Sequence, residues 1–134
     1  MNYAPSDDSR IRVLIADDDP AFLRSLEELI DRQPELHVIG AAANGLEAIE
    51  LADRLAPEAV VLDLHMPLLD GVSAAARLRR DHPSICLIAL TGDDEPALHR
   101  AVREAGADEV LLKSELVEGL LERLATARRD VPRE

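Results

Sequence analysis

Five short runs of apolar, mostly β-branched or leucine-rich residues recur along the chain, with starts 22 to 26 residues apart: IRVLIA from Ile11, HVIGA from His37, AVVLDL from Ala59, ICLIAL from Ile85 and EVLLK from Glu109. Each is too continuous for a strand with one wet face, which would alternate. Parallel strands covered on both faces are therefore predicted. Between the runs the apolar positions change to helical spacing: Phe22, Leu26, Leu29 and Ile30; then Ala48, Ile49, Ala52, Leu55 and Ala56; then Ala97, Leu98, Ala101, Val102 and Ala105. The segments share a period but not a sequence, so this is alternation of strand and helix rather than a tandem repeat. The order βαβαβαβαβα implies a five-stranded, doubly wound α/β sheet, because right-handed crossovers place helices on both faces.

Helix punctuation agrees with that register. Pro20 suits a first helical turn, Asn44-Gly45 and Asp70-Gly71 mark the turns before the second and third helices, and Pro96 begins the fourth. The third helix has the weakest stripe (Val72, Ala75, Ala76, Leu78), and the fifth, from Leu116 to about Arg128, the most regular. With 134 residues there is room for one domain with a sizeable core. That domain is expected over residues 10–128, with a frayed polar extension at 1–9 and a tail or the start of a linker at 129–134.

No apolar run of about 18 residues and no basic-then-apolar leader occurs, so a cytoplasmic location without membrane contact is expected. The single cysteine, Cys86, lies inside ICLIAL and reads as a buried structural thiol in a reducing compartment. A formal charge of -12, from 27 acidic and 15 basic residues, would repel a phosphate backbone, so direct nucleic-acid contact is not expected. His37, His82 and His99 are scattered and read as surface or turn histidines.

Ligands of open α/β sheets sit at the carboxyl ends of the strands, where the winding reverses. In this chain those ends are polar: Asp17, Asp18 and Asp19 after the first strand, Asp63 at the end of the third, Thr91 after the fourth and Lys113 after the fifth. Clustered carboxylates repel one another and are costly to bury unless a cation offsets them. Oxygen ligands without clustered His or Cys suit Mg²⁺, or Mn²⁺, better than Zn²⁺ or a Ca²⁺ cage. A metal, an ammonium and a hydroxyl around a carboxylate make a setting for phosphoryl chemistry, in which the carboxylate can itself accept the group. Asp19, just before Pro20, reads instead as the N-cap of the first helix.

The set Asp17-Asp18, Asp63 followed by HMP and DG, Thr91 and Lys113, each at a strand end in this order, resembles the receiver domain of two-component response regulators. ELHVIGAAANGLEAIELA and GADEVLLKS look most like receivers of the NarL/LuxR class. The resemblance implies the flavodoxin-like strand order 2-1-3-4-5. It implies Asp63 as phosphoacceptor, with Asp18 and Asp63 binding Mg²⁺ directly, His65 contributing its backbone carbonyl and Asp17 acting mostly through a water. Lys113 would pair with Asp63 and then with the phosphate, Thr91 would move to hydrogen-bond it, and His65 and Asp93 would flank the group and tune its lifetime. The implied partners are a sensor histidine kinase and an output domain or partner protein, with transcription regulation among the compatible outputs. A homodimer through the first and fifth helices or the fourth-helix side is compatible. No enzymatic activity is expected beyond self-phosphorylation and self-dephosphorylation.

Two positions depart from the pattern. Val110 stands where receivers often carry a switching aromatic, and Ser114 where many have a proline after a cis peptide. The first keeps open a phosphorylation-independent binding module. A haloacid-dehalogenase-like phosphatase is the enzymatic alternative, because Asp17-Asp18-Asp19 contains its D-x-D, but Ala21 stands where Thr or Val is usual.

Overall fold

The alternation of apolar runs and amphipathic stretches resolves into β1 (Ile11–Ala16), α1 (Pro20–Asp31), β2 (Leu36–Ala42), α2 (Gly45–Leu55), β3 (Ala59–Asp63), α3 (Gly71–Asp81), β4 (Cys86–Thr91), α4 (Pro96–Ala105) and β5 (Glu109–Leu112), followed by a 3-10 turn at Lys113–Glu115. The computed structural model describes residues 10–92, 94–115 and 123–124. The predicted fifth helix falls mostly outside the described residues; Arg123 and Leu124 are helical. All strand pairings are parallel, in the order β2-β1-β3-β4-β5.

The continuous apolar runs are explained by burial on both faces. Leu14, Ala16, Val60, Leu62, Leu87 and Ala89 face one core with Ala48 and Ala52 of α2, Ala74, Ala75 and Leu78 of α3, and Val102 of α4. Their neighbours Val13, Ile15, Val61, Cys86, Ile88 and Leu90 face the other, with Leu26 and Ile30 of α1 and Leu124. Cys86 is a buried thiol, as its surroundings predicted. The alanines of α2 and α3 make up in close approach what they lack in size.

Helix starts follow local chemistry. Asn44 caps α2 by accepting from Glu47 N, and Asp70 caps α3 by accepting from Ser73 N. β2 begins one residue earlier than its apolar run predicted and bulges at Ile39, where its pairing with β1 slips between Val38 and Gly40. At the far end of the sheet from the polar strand ends, Arg79 of α3 donates to the carbonyls of Pro83, Ile85 and Gly106, and to Asp108. No helix among the described residues is long and apolar enough to cross a membrane.

The consequence for function lies in the order of strands. From β1 the chain crosses to β2 over one face and to β3 over the other, so the winding reverses between β1 and β3. Ala16 pairs with Leu62, which sets the residues after them, Asp17 and Asp63, side by side.

Candidate functional site

Asp17 and Asp63 are both buried, at 1% and 2% exposure, whereas Asp18 stands at the exposed rim. Oxygens of all three carboxylates lie within 4.8 Å of one another. Asp19 belongs elsewhere: its Oδ1 accepts from Ala21 N at 3.0 Å and Phe22 N at 3.4 Å, so it caps α1, as predicted. Its own N–H donates to Asp17 Oδ1 at 2.9 Å, which orients the neighbouring carboxylate into the pocket.

The last strand brings the counter-charge. Lys113, in the turn after β5, places Nζ 2.7 Å from Asp17 Oδ2 and 3.4 Å from Asp63 Oδ1. Burial alone would lower the lysine pKa, but the two carboxylates outweigh it and hold the ammonium above its usual range. For Asp63, burial and then the charge of Asp17 raise the carboxyl pKa, and the opposing pull of Lys113 does not fully offset them. The ammonium also lies 4.4 Å from the centroid of the Phe22 ring.

Three carboxylates against one ammonium leave a residual charge of about minus two. Asp17 Oδ2 is buried and faces the Lys113 ammonium at 2.7 Å. Hard oxygen donors, an underneutralised charge and an exposed third carboxylate fit a partly hydrated Mg²⁺ or Mn²⁺.

Thr91 ends β4 fully buried, and its Oγ1 is 3.4 Å from Nε2 of the exposed His65 ring. The backbone after Asp63 is held by Leu64 N donating to Leu90 O and Gly71 N donating to Leu64 O. A Cβ on Gly71 would fall 2.4 Å from Leu64 Cα, so this turn requires glycine. Asp70 completes the loop by accepting from Ser73 N at 2.9 Å, a bond that lowers its pKa. No cis peptide occurs among the described residues, so Lys113 reaches the pocket through trans bonds, in keeping with Ser114. Val110 lies in the core formed with α2, α3 and α4, away from the carboxylates, and Asp93 falls outside the described residues.

Of the residues singled out by sequence, Asp17, Asp18, Asp63 and Lys113 converge on one pocket, with Thr91 and His65 beside it. Phe22 is the neighbour that sequence reasoning assigned only to the apolar stripe of α1. The available signal was that the chain's single phenylalanine stands three residues after the acidic cap.

Comparison with known proteins bears out the resemblance read from the sequence. A family model described as the response regulator receiver domain matches residues 13–125. The protein-glutamate methylesterase/protein-glutamine glutaminase of Shewanella frigidimarina is 37% identical over 105 residues, covering 77% of this chain and 26% of that protein. The crystal structure of the response regulator domain of Thermotoga maritima CheB aligns with a TM-score of 0.84 and 29% identity, covering 92% of this chain and 99% of that one. The receiver domain of NarL from Mycobacterium tuberculosis aligns with a TM-score of 0.79 and 29% identity, covering 87% and 98%. The NarL/LuxR likeness is thus one of several.

These relatives correct one expectation. The sequence pointed to no enzymatic activity beyond self-phosphorylation and self-dephosphorylation, yet the curated relatives are named as enzymes. The physical reason is one of extent: this chain spans 26 to 30% of the first of those proteins, and a receiver-length segment carries no chemistry that reports what is joined to it.

Proposed function

Because the chain belongs to the response regulator receiver domain family, we propose that it is a phosphorylation-dependent signalling switch that accepts a phosphoryl group on Asp63. The observation that carries this reading is the buried Asp63 carboxylate held between Lys113 and the paired Asp17 and Asp18. In the proposed transfer an Asp63 oxygen forms the new P–O bond as the P–N bond of a donor phosphohistidine, or the P–O bond of a small acyl phosphate, breaks.

Asp18, Asp63 and the His65 carbonyl would hold Mg²⁺ or Mn²⁺, with Asp17 acting through a water. When bound, the metal supplies positive charge against the phosphoryl oxygens. Lys113 supplies a second cation already aimed at Asp63, and the Thr91 hydroxyl supplies a donor from the neighbouring strand end. Movement of Thr91 toward the phosphoryl group would bias the α4–β5 side between two arrangements. A homodimer through that side fits the same scheme. The functional domain is proposed to span residues 10–128.

The phosphoryl donor is proposed to be a sensor histidine kinase in the cytoplasm. For the output, the methylesterase/glutaminase relatives favour an effector of the protein-modifying kind named in them. Transcription regulation is the second reading, favoured by the NarL receiver alignment.

Mass spectrometry after incubation with acetyl phosphate and Mg²⁺ tests the proposal. One added phosphoryl group is expected, absent in Asp63→Ala and absent with a chelator. Unmodified protein under these conditions, with partner affinity unchanged in Asp63→Asn, would favour a phosphorylation-independent module instead.

A further inference from the structure

Lys113 is carried by a flexible four-carbon stem from a short 3-10 turn, and its side chain is 28% exposed. Its position must come from its neighbours. Two of them, Asp17 and Asp63, are oxygen donors at 2.7 and 3.4 Å that a divalent cation would also claim. A metal held by the same carboxylates repels the ammonium and competes for its partners, so ion pairing alone would loosen Lys113 when the pocket is loaded.

The third neighbour is not contested in this way. The Phe22 ring centroid lies 4.4 Å from Nζ, within the range over which a cation is attracted to an aromatic face. A hydrated Mg²⁺ prefers hard oxygens and does not compete for that face. The ring is itself well held. The Asp19 cap accepts from Phe22 N, and the side chain packs against the core that holds Leu26 and Ile30 of α1 and Leu124. The acidic run and the phenylalanine after it therefore act together: the cap that starts α1 fixes the residue that faces the lysine.

We infer that Phe22 is the positioning residue of Lys113, its ring face holding the ammonium at the acidic pocket by an attraction that metal loading leaves intact. The inference rests on Lys113 serving the phosphoryl site proposed above. It assigns Phe22 no contact with the phosphoryl group.

The test compares Phe22→Leu, which keeps apolar packing without the π face, with Phe22→Tyr, which restores the face. The first readout is the Lys113 ε-methylene proton resonance in the full chain, with and without Mg²⁺. A ring-current upfield shift is expected in wild type and in Phe22→Tyr under both conditions, and its loss is expected in Phe22→Leu. The second is the initial rate of phosphorylation by acetyl phosphate. It should fall about fivefold in Phe22→Leu, the factor that roughly 1 kcal/mol of cation–π attraction represents, and stay near wild type in Phe22→Tyr.

An unshifted Lys113 resonance in wild type, a shift that vanishes on adding Mg²⁺, a wild-type rate in Phe22→Leu, or equal slowing in both variants overturns the inference. The resonance needs no phosphoryl transfer. A wild type that takes no phosphoryl group would therefore defeat the reading of Asp63 while the ring–ammonium contact is still decided by the shift.

Discussion

Asp17 and Lys113 are paired at 2.7 Å, closer than the 3.4 Å that separates the same ammonium from Asp63. Asp63 is thus the less well compensated of the two buried carboxylates, and its pKa is raised by burial first and by Asp17 second. In the unfolded chain the group loses its proton near the ordinary aspartate value of 3.8, but in the folded protein it does so at higher pH. Its ionisation therefore destabilises the fold, by an amount that grows as pH rises from that value through the folded pKa and is complete above it. Asp63→Asn, which keeps the shape and an acceptor oxygen, should be more stable than wild type at pH 7 without metal. A gain of roughly 1 kcal/mol would raise Tm by about 4 °C. The gain should shrink toward pH 4 in denaturant melts recorded with chelator. A less stable Asn variant at neutral pH would show that Lys113 compensates Asp63 fully.

The residual negative charge of the pocket sets a second expectation. Mg²⁺ that binds only the folded chain should stabilise it by RT ln(1 + [L]/Kd), about 1.4 kcal/mol at ten times Kd. Asp18→Ala removes the exposed member of the triad without opening a cavity, so it should fold normally yet lose both this stabilisation and Mg²⁺-dependent phosphorylation. Thermal melts titrated with MgCl₂, run beside Ca²⁺ and Zn²⁺, read the effect directly. An equal Mg²⁺ response in Asp18→Ala would remove that residue from the metal site.

Asp19 provides the contrast within the same run of aspartates. Its carboxylate serves the first turn of α1, accepting from Ala21 N and Phe22 N. Asp19→Ala should cost about 1 kcal/mol, whereas Asp19→Ser, a comparable cap, should be nearly neutral. Urea melts and acetyl phosphate labelling of the two variants separate capping from chemistry: phosphorylation should persist in Asp19→Ser.

The parts of this molecule that were legible in sequence are those dictated by burial and by local caps. Continuous apolar runs require two covered faces, so β1, β3 and β4 could be read directly, and Asp19 before Pro20 identifies its own role. The convergence of Asp17 with Asp63 was legible because adjacent parallel strands leave their terminal residues side by side. The Ile39 bulge was not, because a one-residue slip in β2 leaves the apolar pattern intact. Nor were the reach of Arg79 to the Gly106 carbonyl, 27 residues away, and the meeting of Phe22 with Lys113, 91 residues away. Periodicity registers which face a residue occupies, not which distant side chain shares it. Phe22 satisfied the stripe of α1, so periodicity alone gave it no further role.

The last expectation concerns the switch rather than the acceptor. Thr91 is fully buried at the end of β4 with its hydroxyl 3.4 Å from His65 Nε2, while Val110, where an aromatic switch residue would stand, is aliphatic and part of the core. No ring stands at that position to turn inward, so under the proposed function the effect of phosphorylation on the α4–β5 side is expected to run through the hydroxyl. Thr91→Ala should still take a phosphoryl group on Asp63 if the proposed function holds, because the proposed acceptor, Lys113 and the proposed metal ligands are untouched. The amide shifts of α4 and β5 on phosphorylation should then fall to a small fraction of those in wild type. Val110→Ala should leave those shifts nearly unchanged while costing stability as a truncation in the core, about 1 to 3 kcal/mol. Two-dimensional NMR of the three proteins with acetyl phosphate and Mg²⁺ separates the cases. Undiminished shifts in Thr91→Ala would place the coupling elsewhere, and the loop from His65 to Asp70, packed between Asp63 and α2, would be the element to examine next.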